Sequence, residues 1–117
     1  MPVITDSRTQ QHQVEMELWL KELSFLNDEI EIMKHHLSDV YYRDHPPNVA
    51  ELVEHFDETF RIQQQWLHKM KEDIENTAED DKDELEWFPQ KKSFHLQMQA
   101  NRLINQELKD NFLELFS

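Results

Sequence analysis

Residues 16–40, MELWLKELSFLNDEIEIMKHHLSDV, decide the fold. Within them Met16, Trp19, Leu23, Leu26, Ile30, Met33, Leu37 and Val40 follow one another at spacings of three and four, with no polar residue taking a turn. Side chains that repeat about every 3.5 residues stay on one helical face and must be buried against another helix. The ladder therefore calls for an all-α bundle. It reports packing and carries no chemistry of its own.

Outward from the ladder, Ser7 and Gln10 have the spacing of a capping box, which places the start of helix 1 near residue 8. His45-Pro46-Pro47 ends it near residue 44, because the residue before a proline is pushed out of the α region and prolines donate no amide hydrogen. A second box, Asn48 with Glu51, opens helix 2, whose seam runs Val49, Val53, Phe56, Phe60, Gln63, Leu67, Met70 and Ile74, to about residue 77. The polar, acidic stretch 76–83 reads as a turn. Helix 3 then spans about 82–116, with Leu85, Phe88, Phe94, Met98, Leu108, Phe112 and Leu115 on one side and Pro89 predicting a kink or a fresh start.

Short links between long helices leave an up-down-up antiparallel three-helix bundle as the expected architecture, in a single domain over residues 1–117. The helix 3 seam admits two readings. Either Asn101 and Asn105 are buried in it, or the helix is rotated toward Leu96, Ala100, Leu103 and Ile104. Both leave helix 3 apolar on two sides, and the spare side predicts self-association or the docking of a protein partner.

Composition removes most other function classes. Glycine and cysteine are both absent. Phosphate-binding loops, dinucleotide turns and nucleophile elbows all place glycine where backbone meets ligand, and thiolate metal sites need cysteine. With 25 acidic against 12 basic side chains the net charge is −13, which opposes nucleic acid and anionic membranes. No stretch has the length of a membrane span and the start lacks the pattern of a secretory signal, so a cytoplasmic protein is expected. The acidic turn lacks the glycine and ligand order of a calcium loop, and no serine sits in a nucleophile context. No cofactor, small-molecule substrate or enzymatic activity is called for.

The polar residues beside the ladder are the candidates for anything more than packing. With Met16, Leu23, Ile30 and Leu37 at heptad position a, Glu15, Glu22, Glu29 and His36 all fall at g, and Leu18, Phe25 and Ile32 form a second apolar line at c. Carboxylates between two apolar lines need partners. One reading is a metal held by Glu22, Glu29 and His36 with His55 from helix 2 or His95 from helix 3. The other is salt bridges to Lys91, Lys92 or Arg102 of helix 3. The Glu-x-x-His pairs of ferritin-like di-iron bundles do not occur. Candidate partner-binding residues are Trp87 and Phe88, at the break before Pro89, with Leu96 and Leu103 on the spare side of helix 3.

Overall fold

A computed structural model describes the backbone of residues 3–43, 47–79 and 84–114, and the side chains of residues 11–39, 50–77 and 89–114. The chain is an all-α bundle of three helices, α1 (Val3–Arg43), α2 (Pro47–Glu79) and α3 (Glu84–Glu114), each packed on the other two. It forms a rod of 68 × 21 × 20 Å. The length is that of α1, whose 41 residues at about 1.5 Å each span about 60 Å.

Seven of the eight ladder residues, Met16 to Leu37, are buried, while the side chain of Val40 lies outside the described residues. From α2 the core takes Phe56, Phe60, Leu67, Met70 and Ile74, and from α3 Phe94, Met98, Leu108 and Phe112. Rings mark both ends of it. Phe56, Phe60 and Phe112 meet with centroids 5.7 to 5.8 Å apart near one end, and Trp19 meets Phe94 edge-on at 5.9 Å near the other. Offset and edge-to-face pairs of this kind add to plain area burial.

Three boundaries differ from the sequence reading. Helix α1 begins at Val3, four residues before the Ser7 box, since nothing from residue 3 onward breaks a helix and Pro2 stands directly ahead, where proline is tolerated. Helix α2 runs through Asn76 and Thr77 to Glu79, so the expected turn is shorter by that much. Thr77 is buried there, its hydroxyl donating to the Asp73 carbonyl at 2.7 Å and accepting from Gln90 Nε2 at 3.2 Å. Polar composition suggested a loop because it hid one buried threonine. Helix α3 continues unbroken through Pro89, five residues from its start, where the ring removes only the bond to the Leu85 carbonyl.

Candidate functional site: the α1–α3 seam and the apolar sector around α3

Helices α1 and α3 run parallel, and the glutamates at g on α1 meet a row of cations on α3. Glu15 Oε2 accepts from Lys91 Nζ at 2.8 Å, and Glu15 Oε1 lies 2.8 Å from His95 Nε2. Glu22 takes the Arg102 guanidinium in a two-pronged pair, with Nη2 to Oε2 at 2.7 Å. Glu29 faces Lys109 at 3.5 Å. From His95 to Lys109 each partner stands at the same offset along the sequence, since both helices step by heptads. Glu22 raises the pKa of Arg102 above its already high ordinary value, chiefly through their hydrogen bond. A raised basic group contributes stability that is lost only as pH climbs through its folded value, so the arginine side of this pair stays charged at any ordinary working pH.

These contacts answer the question the g-position carboxylates posed. Glu22 and Glu29 pair with α3, His36 is exposed, and His55 is exposed with its ring against Phe56 at 5.8 Å. The structure does not bring the four together, and among the described residues no group of three His, Asp or Glu side chains is arranged to hold a metal. Of the cations expected as partners, Lys91 and Arg102 take that role; Lys92 is exposed, and Lys109 and His95 complete the row. Counting heptads from Arg102 in both directions would have found the last two.

Inside the seam lies a polar layer. Gln63 of α2 donates through Nε2 to Asn101 Oδ1 at 3.2 Å and Asn105 Oδ1 at 3.1 Å. Asn105 Nδ2 donates to the backbone carbonyl of Leu26 at 2.9 Å, and Asn101 Nδ2 points to Met70 Sδ at 3.2 Å. All three amides are at least 92 % buried, and no buried side-chain nitrogen or oxygen among the described residues lacks a partner. This settles the rotation of α3. Asn101 and Asn105 face inward, and Leu96, Leu103 and Ile104 are left outside at 60, 67 and 41 % exposure.

Most of the remaining exposed large apolar side chains share that sector: Leu113 is on α3 itself, and Val14, at heptad position f of α1, stands apart from it. Leu18, Phe25 and Ile32 lie on the flank of α1 beside the ion-pair row, while Leu52, Ile62 and Trp66 lie on the flank of α2 turned toward α3. Lys69 sits 5.8 Å over the Trp66 ring. The opposite groove, between α1 and α2, is polar, with Gln64 joining Asn27, Glu31 and Lys34. The side chains of Trp87 and Phe88 lie outside the described residues. Among the described residues, grooves between helices have volumes of about 310, 280 and 170 Å³, at or below the bottom of the range for small-molecule sites. No described helix is long and apolar enough to cross a membrane. Comparison with protein families, with curated proteins and with solved structures finds no match for this chain.

Proposed function

We propose that the protein is a non-enzymatic interaction module, a helical bundle that binds protein through the apolar sector centred on α3. One observation carries the reading: all the exposed large apolar residues but Val14 gather on α3 and on the flanks of α1 and α2 beside it, while the α1–α2 groove carries none among the described residues. Single exposed leucines are ordinary on any surface, but a one-sided collection is the pattern of a docking face. Phe25 and Trp66 are the aromatic anchors such a face would use, at 61 and 59 % exposure. The metal-binding alternative has no comparable support, because Glu22 and Glu29 are already paired with cations.

The test uses a photoreactive phenylalanine analogue placed at Phe25 or Leu103, and at Arg61 as the control on the far side, in the full chain in cells. Covalent protein adducts are expected from the first two positions and not from the third. Equal yields from all three positions, or no adduct from any, would overturn the reading.

A further inference from the structure

We infer that the partner seated on this sector is a second copy of the chain, docked α3 to α3 in antiparallel fashion about a two-fold axis beside Ala100. The inference rests on the docking reading above and names its occupant.

Charge selects the sector. Two chains of net charge −13 repel, so a symmetric contact must use the least acidic side of the molecule. Between Lys91 and Glu114, α3 carries Lys91, Lys92, Arg102 and Lys109 against Glu107, Asp110 and Glu114, and the glutamates of α1 that border it are matched by three of those cations. Helix α2 has a clear acidic excess over the same length, with Glu51, Glu54, Asp57 and Glu58 in its first half alone. Over these stretches α3 is thus the helix on which like charge is least concentrated.

The outer face of α3 is self-complementary. Leu96, Ala100 and Leu103 lie opposite its buried line, all exposed, and Leu96 and Leu103 are equidistant from a point between Gln99 and Ala100. A two-fold axis at that point lays Leu96 of one copy against Leu103 of the other, and Ala100, with its single methyl, lets the two backbones approach. Lys92 and Glu107 are equidistant from the same point and both are exposed. The axis therefore brings Lys92 of each copy to the level of Glu107 of the other, two opposite charges on each side of the leucines. An isologous contact requires a patch that complements itself in this way. Phe25 and Ile32 adjoin this face on one flank and Ile62 and Trp66 on the other.

The chain has no cysteine, so the variant Ala100→Cys carries a single thiol for mild oxidation. It should form a covalent dimer, whereas Glu54→Cys on the α1–α2 groove should not. In sedimentation the unmodified chain should be dimeric and Leu103→Glu monomeric, with helix content unchanged because the side chain is exposed in the single chain, and with a melting temperature that no longer rises with protein concentration. Lys92→Glu alone should weaken the dimer about tenfold and Lys92→Glu with Glu107→Lys should recover most of the loss. A chain that stays monomeric while Phe25 captures a different protein would overturn the second copy and leave the docking reading standing. A dimer indifferent to Leu103→Glu, with no Ala100→Cys cross-link, would overturn the α3 axis.

Discussion

At the scale of single residues, the polar layer is where this chain departs from plain hydrophobic packing. Gln63, Asn101 and Asn105 occupy positions that leucine would fill by volume, yet each finds a partner, and together they tie α2, α3 and the α1 backbone at one level. A satisfied polar cluster contributes little net stability and penalises every arrangement that leaves it unsatisfied. Removing one member should therefore cost more than removing all. In urea denaturation Asn105→Ala, which removes one of the two acceptors of Gln63 Nε2 and the tie to the Leu26 carbonyl and leaves a gap in the core, should lose about 1–3 kcal/mol. Replacing Gln63, Asn101 and Asn105 together by leucine should be nearly neutral or stabilising, with loss of sharp, dispersed amide resonances as the register loosens. A triple variant less stable than Asn105→Ala would mean that the layer supports the fold through its own bond energy.

At the scale of elements, the apolar ladder of α1 and the seam of α2 were legible from spacing alone, because burial has a period that the chain must repeat. The end of α2 was not, since one buried threonine among acids has no period. The rotation of α3 was open for a related reason: two apolar lines competed, and the one that lost consists of Leu96, Ala100, Leu103 and Ile104, more apolar than the one containing two asparagines. The amides won because Gln63 meets them across the bundle, a contact that periodicity within one helix does not reveal. The g-position carboxylates were flagged correctly as needing partners, but which partners depended on the parallel alignment of α1 with α3. Proline 89 is the one internal flaw in α3. Pro89→Ala should restore the bond to the Leu85 carbonyl and raise stability by about 1 kcal/mol or more, read as a higher melting temperature. A lower melting temperature would show that the ring is needed for how α3 enters the bundle.

At the scale of the whole molecule, the bundle is two-sided, polar along the α1–α2 groove and apolar around α3, with a large negative charge over all of it. Association through the apolar side is opposed by long-range repulsion that salt screens beyond about 10 Å at 0.1 M. Raising sodium chloride from about 0.05 to about 0.5 M should therefore tighten the dimer on balance, relief of the overall repulsion outweighing the screening of the two Lys92–Glu107 pairs, and sedimentation at the two salts reads the difference. Weaker association at high salt would show that the Lys92–Glu107 pairs outweigh the overall repulsion.

The α1–α3 row has a further consequence for how the rod comes to exist. Glu15, Glu22 and Glu29 find their cations some eighty residues further along the chain, whereas α1 and α2 share the broadest contact and are joined by a short link. Closing so long a loop costs chain entropy that is recovered only when many contacts form at once. The two-helix hairpin is then the natural early species, with part of its apolar ladder bare, and α3 is the late-arriving strip that covers it. Nascent chains released before α3 has been made would carry that open face, the state in which this acidic protein is most exposed to aggregation.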